Sequence, residues 1–301
     1  MTYYLLANPN SGHRRGHEKV LKLIAHFEAT GVQFRFFETT APNQEKALIA
    51  EILSLIDDHN KDQLIIIGGD GTLSLCMKYL PLNLSFSYIP AGSGNDFSRA
   101  LGISLDPVEA FKSIQMHEAT EIYVLGYDSE HLHGFAINNI GIGLDGAIIN
   151  EANQSGSKKF FNRLHLGQLS YLFTTLSVIF KKKSFTVEID NSIKFENAFL
   201  FTMTKHPYFG GGIKIAPNAS NLNEEIELIE VDRIPQRQFF GLLSKVVRGS
   251  HMTDPRIHQL VQKNFSVTVS SNQPIQIDGE PNSISADEVL HVWSEKRTII
   301  K

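Results

Sequence analysis

Apolar and polar positions follow two regimes along this chain. From residue 3 to about residue 120, short continuous apolar runs alternate with stripes of helical period. Tyr3–Ala7, Gln33–Glu38, Gln63–Ile67 and Ser85–Ile89 read as strands. Between them, Val20, Leu21, Leu23, Ile24 and Phe27 mark one helical face, and Ala47–Ile56 is a second amphipathic helix. Leu73–Tyr79 can form a third. Strands alternating with helices predict a parallel sheet covered by helices on both faces. After about residue 122 the texture changes to short β-prone runs: Ile122–Tyr127, Gly134–Ile140, Phe185–Ile189, Ala198–Thr204, Ile226–Val231, Phe265–Val269 and Ile275–Ile277. They predict a second, mainly antiparallel β-sandwich-like domain over residues 123–287. One helix, at about residues 160–183, is expected within it, from the stripe Leu169, Leu172, Phe173, Leu176, Ile179 and Phe180. The cations Lys181–Lys183 suit the end of that helix, which reads as core-facing rather than as a membrane anchor.

Composition adds limits. The chain has 301 residues, 42% of them hydrophobic and 20% charged, which suits one large or two ordinary globular domains. A net charge of −4 gives no basic field for nucleic acid. The single cysteine, Cys76, rules out an intramolecular disulfide and any cysteine-based zinc site, and fits a reducing cytoplasm. The first residues lack a signal-peptide pattern, and no run approaches the ~20 apolar residues of a membrane span.

Chemistry gathers at the ends of the strands. Gly68-Gly-Asp-Gly-Thr72 follows the apolar run Leu64–Ile67. Glycines let backbone approach a ligand closely, and a turn of exposed N–H groups before a helix binds anions. Asp70 inside such a nest makes sense with a divalent cation between it and a phosphate. That suggests a nucleoside triphosphate bound with a metal. One strand later, Pro90-Ala-Gly-Ser-Gly-Asn-Asp-Phe97 repeats the logic, although Asn95 or Asp96 would also serve as a helix cap. Asn8-Pro-Asn-Ser-Gly12 is a third turn, with donors suited to phosphate or ribose, or simply a turn rich in turn-formers. In the second half, Asn138–Asp145, Phe209-Gly-Gly-Gly212 and Asp278-Gly-Glu280 place glycines and carboxylates at strand ends. Asp278 and Glu280 share a face if that segment is extended and are separated if Gly279 turns it.

In order and separation, these six motifs resemble the diacylglycerol kinase catalytic family, specifically the bacterial soluble lipid kinases, which are related to NAD kinase and sphingosine kinase. The resemblance implies an NAD-kinase-like α/β nucleotide-binding domain, residues 1–122 plus a returning last strand at 288–301. It further implies a cleft between the two domains and a homodimer. It implies that ATP is held by Asn8, Asn10, Ser11, Gly12, Thr39, Gly69, Gly71, Thr72, Gly92, Ser93 and Asn95. Asp70 and Asp96 would stand near magnesium and phosphate, and Glu280 would be the general base. The implied reaction is ATP- and magnesium-dependent phosphorylation of a lipid hydroxyl, most simply diacylglycerol to phosphatidic acid, at the inner face of the membrane. A second, structural magnesium is implied after Pro217-Asn-Ala219, where the family carries Asp-Gly. Here Glu224-Glu225 stand in that place. Either Glu224 substitutes as the metal ligand with a longer arm, or the site is altered.

Two other readings are compatible with the glycine turns: a kinase of a soluble substrate such as NAD, and a nucleotide-binding regulatory protein without catalysis. The chain has no Gly-x-x-x-x-Gly-Lys-[Ser/Thr] and no protein-kinase signature.

Overall fold

The computed structural model describes residues 1–12, 15–56, 62–116, 118–154 and 182–301. Its first half is the predicted parallel unit. Strands β1 (Tyr3–Ala7), β2 (Phe34–Glu38), β3 (Gln63–Gly68) and β4 (Phe86–Pro90) lie in the order β2-β1-β3-β4, all parallel. Every residue of β1, β3 and β4 is buried, whereas edge strand β2 is partly exposed. Burial on both faces is why the three inner strands read as unbroken apolar runs.

The two-residue period of a strand sorts these side chains onto two cores. Tyr3, Leu5 and Ala7 pack under α1 (Arg15–Thr30) and a later helix, through Val20, Leu23, Phe27 and Phe111. Tyr4 and Leu6 face α2 (Glu45–Leu55), α3 (Asp70–Met77) and α4 (Asp96–Leu101), through Ile49, Ile52, Leu73, Cys76 and Phe97. Cys76 is an ordinary core residue there, fully buried. Helix α3 begins three residues before the expected Leu73, directly at Asp70, and α4 begins at Asp96. Both glycine turns therefore run straight into a helix with an aspartate in its first position. Helix α5 (Pro107–Met116), not expected from the pattern, supplies Phe111.

The second half is built from β5 (Thr120–Asp128), β6 (His133–Ala136), β7 (Asn139–Gly143), α6 (Leu144–Gln154), β8 (Phe185–Ile189), β9 (Ile193–Thr204), β10 (Tyr208–Phe209), β11 (Ile213–Lys214), β12 (Ile226–Asp232), α7 (Gln236–Val247), β13 (Ile257–Gln262), β14 (Asn264–Val269), β15 (Gln273–Ile277), β16 (Glu280–Ile284) and β17 (Val289–Ile299). Pairing here is antiparallel, as predicted, through β16-β15-β7-β9-β8-β14-β17. Inward residues such as Ile140, Ile142, Val187, Phe201, Met203, Leu228, Val267 and Leu290 form its core. Strand β17 joins the halves. It pairs antiparallel with β5 from His291 to Ile299, and its last residue lies beside Phe86 of β4. Among the described residues, fifteen strands thus form one continuous sheet.

The expectation of one helix in this half needs correction. The helix expected at about residues 160–183 falls almost wholly outside the described residues. The described residues of this half hold two others, α6 and α7. Helix α6 follows β7 without a break, so its sequence reads as the tail of a strand. In α7, Phe239, Leu242, Leu243 and Val246 lie at helical spacing and line an apolar chamber.

Candidate functional site

The three turns at the carboxyl ends of β1, β3 and β4 are packed backbone to backbone. A Cβ on Gly12 would stand 2.4 Å from the Ala91 carbonyl oxygen, and one on Gly92 would stand 2.6 Å from the Gly69 Cα. Glycine is required at these positions for the turns to touch. Side chains then close each turn. The Asn8 amide donates to the Thr72 hydroxyl (3.1 Å), while its Oδ1 accepts the Asn10 N–H (3.1 Å) and its carbonyl accepts the Ser11 hydroxyl (2.8 Å). Asn95, in the left-handed region at φ 53°, clasps Gly92 at both ends: its Oδ1 accepts the Gly92 N–H and its amide donates to the Gly92 carbonyl, each at 2.9 Å. Asn95 makes no side-chain cap to α4. The buried Thr39 N–H is tied to the Ala7 carbonyl at 2.9 Å, and Ser93 is exposed at the surface of its turn.

Asp70 and Asp96 meet between these turns. The Asp96 N–H donates to Asp70 Oδ2 at 2.9 Å. Asp70 Oδ1 is enclosed yet has no hydrogen-bond partner. Burial pushes the Asp70 carboxyl up to about 6; the Asp96 N–H pulls it back, and the charges of Asp96 and Asp278 raise it further. A desolvated carboxylate with an unused oxygen, beside a second carboxylate, is a chemically sound place for a divalent cation. Asp96 faces both halves of the protein. Its Oδ1 pairs with Arg99, and its Oδ2 accepts the Gly211 N–H at 2.7 Å. Arg99 also donates to the Gly94 carbonyl at 3.2 Å and lies over the Tyr208 ring. The loop Phe209–Gly212 is thereby fastened to the α/β turns.

Glu280 faces the same region from the other side. It is exposed, and it lines a cavity of about 380 Å³ with Asn8, Asn10, Thr39, Thr40 and Glu45. Gly279 does turn the segment, with φ at 50° for Asp278 and 83° for Gly279. The two carboxylates consequently separate. Asp278 points inward and accepts the N–H groups of Ile137 (2.8 Å), Asn138 (2.8 Å) and Asn139 (3.2 Å). The Gly279 N–H donates to Gln276 Oε1 (2.7 Å), and the Gln276 amide donates to Asp145 Oδ2 (2.7 Å), which also accepts from Asn139 (3.3 Å). Burial pushes Asp145 up to about 7. This buried chain fixes the turn that presents Glu280. His206 is also buried, with Nε2 at 2.7 Å from Asn138 Oδ1, and burial holds it down at about 4, so it is neutral.

Behind the Phe209–Gly212 loop lies an apolar chamber of about 210 Å³. Leu144, Phe199, Phe209, Ile213, Phe239 and Leu242 contribute to its lining.

Glu224 is not brought to any of these groups. It is exposed and ion-paired with Lys263. The loop around it is organised by an ammonium instead of carboxylates. The fully buried Lys205 donates to the carbonyls of Asn223 and Glu225, each at 2.6 Å, and to the Ser294 hydroxyl at 3.1 Å, with the Tyr123 ring alongside. Burial holds the Lys205 amine down at about 8. Of the two alternatives for Glu224, this geometry offers more to an altered site, because a cation, Lys205, is already built into the chain there. Asp145 stands in the Asn138–Asp145 motif without an assigned role, and Gln276 and His206 carry no signal of their own as anchors. The polar residues Asn138-Asn139 ahead of Gly141 and Gly143 were the available signal.

Comparison with known proteins agrees with this architecture. Residues 2–126 match the diacylglycerol kinase catalytic domain, and residues 138–291 match the YegS C-terminal NAD kinase beta sandwich-like domain. The chain is 25% identical over 295 residues to the diacylglycerol kinase of Bacillus subtilis (strain 168), covering 96% of this chain and 93% of that one. It is 27% identical over 289 residues (92% of this chain, 93% of the other) to YtlR of the same organism, whose name ascribes it lipid-kinase activity provisionally. A crystal structure of a diacylglycerol kinase from Bacillus anthracis str. Sterne superposes with a TM-score of 0.67 at 19% identity, covering 99% of this chain and 96% of that one. An NAD kinase from Archaeoglobus fulgidus in complex with ATP does so at 0.52 and 12%, covering 100% and 94%.

Proposed function

The chain belongs to the family that joins a diacylglycerol kinase catalytic domain to a YegS-type C-terminal domain, and from that premise we propose that it transfers the γ-phosphoryl group of ATP to a lipid hydroxyl, most simply that of diacylglycerol. The observation that carries this reading is one arrangement: Asp70, with its unpartnered enclosed oxygen, beside Asp96, with Glu280 facing the turns from the other wall and an apolar chamber behind the loop fastened to Asp96.

Phosphoryl transfer asks a protein for in-line positioning and charge stabilisation. The open N–H groups at the start of α3 donate to the phosphates. Asn8 and Thr72 brace each other and orient that turn. Asp70 and Asp96 would hold magnesium, which when bound would supply charge neutralisation on the phosphates. Exposed Glu280 accepts the proton of the acceptor hydroxyl. The bond from Gly211 to Asp96 ties the loop that borders the chamber to the phosphate site, so an acyl chain seated there would be positioned with it. Among the described residues no helix is long and apolar enough to cross a membrane, so a membrane-resident substrate would be met from the surface.

Radiolabelled ATP with a panel of neutral lipids in mixed micelles, and NAD in parallel, tests the reading. Label is expected in a lipid product and to depend on magnesium. Phosphorylation of NAD, or tight ATP binding without transfer to any acceptor, would overturn it.

A further inference from the structure

A cluster outside these turns, on the β12–β13 pair, has the composition of a second ion site. In the β12–β13 pair, Glu230 stands directly opposite His258. Asp232 lies two residues beyond Glu230 and so projects from the same face. In the pairing with β9 the register shifts beside Asp232, with Phe199 of β9 as the extra residue, so Val231 pairs with Leu200 and Asp232 with Ala198. His258 Nε2 is 3.8 Å from Glu230 Oε2 and 3.5 Å from Asp232 Oδ2, and one ligand atom of each residue lies within 4.8 Å of the others. Ligand atoms arranged tetrahedrally around zinc, with bonds of about 2.0–2.2 Å, stand roughly 3.3–3.6 Å apart. The cluster is therefore close to a ligating geometry.

The independent observation is Glu230 itself. It is fully buried, and neither of its carboxylate oxygens has a hydrogen-bond partner. It follows Ile226 and Leu228 on the core-facing side of β12, where those residues belong to the sandwich core. A buried carboxylate without a donor is costly unless a cation compensates it. Nothing in the core requires an acid at this position. His258 and Asp232 are partly open to solvent, with side chains 39% and 37% exposed, which leaves an entry path and room for water ligands. The ring of Phe195 packs on His258 at 5.1 Å and holds its plane.

We propose that Glu230, Asp232 and His258 bind one divalent transition-metal ion per chain, zinc by preference. An imidazole nitrogen with two carboxylates suits zinc, manganese or cobalt, whereas magnesium takes oxygen ligands. The site is distinct from the Asp70–Asp96 pair in both position and donor chemistry. Bound metal clamps the end of β12 to the start of β13. Val231 and Ile257 of that pair line the apolar chamber, and Asp232 itself contributes to its lining, so the clamp stiffens the chamber wall.

The test uses the full-length protein, stripped with chelator, and zinc chloride titrated calorimetrically in excess magnesium. One zinc per chain is expected, with a zinc-dependent rise in melting temperature. Cobalt(II) in place of zinc should give ligand-field bands from a mixed nitrogen and oxygen site. His258→Gln and Glu230→Gln should each weaken binding by about a hundredfold or more and abolish the thermal shift. His258→Gln alters a partly exposed side chain, so it keeps the test informative if Glu230→Gln fails to fold. Absence of zinc binding, or equal zinc affinity in wild type and His258→Gln, would overturn the proposal and leave Glu230 as a protonated acid next to Asp232.

Discussion

The two walls of the cleft are both rich in glycine, and glycine does opposite work in them. On the α/β wall, a Cβ at Gly12, Gly68, Gly69 or Gly92 would stand 3.1 Å or less from a neighbouring atom, and at Gly12, Gly69 and Gly92 that atom is backbone. These residues let separate turns touch. On the β wall, Gly210, Gly211 and Gly279 would meet nothing within 4 Å, and all three have positive φ. They shape turns whose value lies in what they present: the Gly211 N–H to Asp96, and Glu280 to the cavity. The same residue type at a strand end thus signals close packing on one side and a free turn on the other. Exceptions occur on both walls: a Cβ on Gly212 would meet Arg99 at 3.1 Å, Gly141 and Gly143 are tightly packed, and on the α/β wall Gly71 stands free. It belongs to the first motif, yet a Cβ there would meet nothing within 4 Å.

If the packed wall exists to hold Asp70 in place, Asp70→Asn should have the largest effect on activity, a loss of at least ~10³ in kcat. Its effect on stability should run the other way. Asp70 moves from an ordinary 3.8 to about 6 in the folded chain. The folded state therefore holds its proton more tightly than the unfolded state. Stability from this group is full below about pH 4 and is lost as pH rises through about 6. At pH 7 the wild type carries a penalty of at most roughly 3 kcal/mol, from about two units at 1.36 kcal/mol each. Asp70→Asn should consequently unfold ~1–3 kcal/mol later than wild type in urea at pH 7.5, with the gap closing near pH 4. Wild-type transfer should fall as pH drops through about 6, because the ionised form is the one that meets a cation. A variant less stable than wild type at pH 7.5 would remove the desolvation argument.

Gly92→Ala tests the packing itself. Its Cβ would stand 2.6 Å from Gly69 Cα and 2.9 Å from Asn95 Oδ1, so both turns must shift. Overpacking of this kind costs about 1–3 kcal/mol, and a displaced phosphate turn should lower kcat/KM by on the order of 10² to 10³. Unchanged denaturant unfolding would show that the two walls do not differ as described.

Much of this was legible in the sequence, and the limits have physical causes. Strands β1, β3 and β4 were readable because burial on both faces leaves unbroken apolar runs. The turns were readable because glycine beside aspartate is an uncommon thing to place at successive strand ends. Helix α6 was hidden because it continues β7 without punctuation. Asn95 reads as a ligand or a cap, and only the fold shows that both ends of its amide are engaged by Gly92. Asp278 and Glu280 are chemically alike and two residues apart. Their separation depends on N–H groups from residues 137–139, about 140 positions away. Lys205 looks like any surface lysine until the carbonyls of Asn223 and Glu225 close around it. Apart from α6, each missed feature depends on a partner distant in sequence or on a backbone acceptor, and neither leaves a trace in local pattern.

Glu280→Gln probes the open wall. The residue is exposed and its turn is held by Gln276 and Asp278, so stability should stay within about 0.5 kcal/mol of wild type. Loss of the proton acceptor should lower kcat by about 10² with little change in the KM for ATP. A change confined to KM for ATP would assign Glu280 to the nucleotide and away from the acceptor hydroxyl.

Gly71→Ala should have the smallest effect and discriminates most finely. Gly71 lies in the first turn of α3 with no positive φ, and space is open around its Cα. Replacing glycine by alanine inside a helix raises stability by up to ~1 kcal/mol. If the open space is where phosphate oxygens approach the backbone, the added methyl should weaken ATP binding by about tenfold while the protein melts later. Higher stability with lower affinity is the signature of a glycine kept for a ligand, whereas Gly92→Ala should lose both together. Should Gly71→Ala bind ATP as wild type does, the first motif's glycines would all belong to packing, and the nucleotide would have to lie toward Asn8 and Thr39 instead.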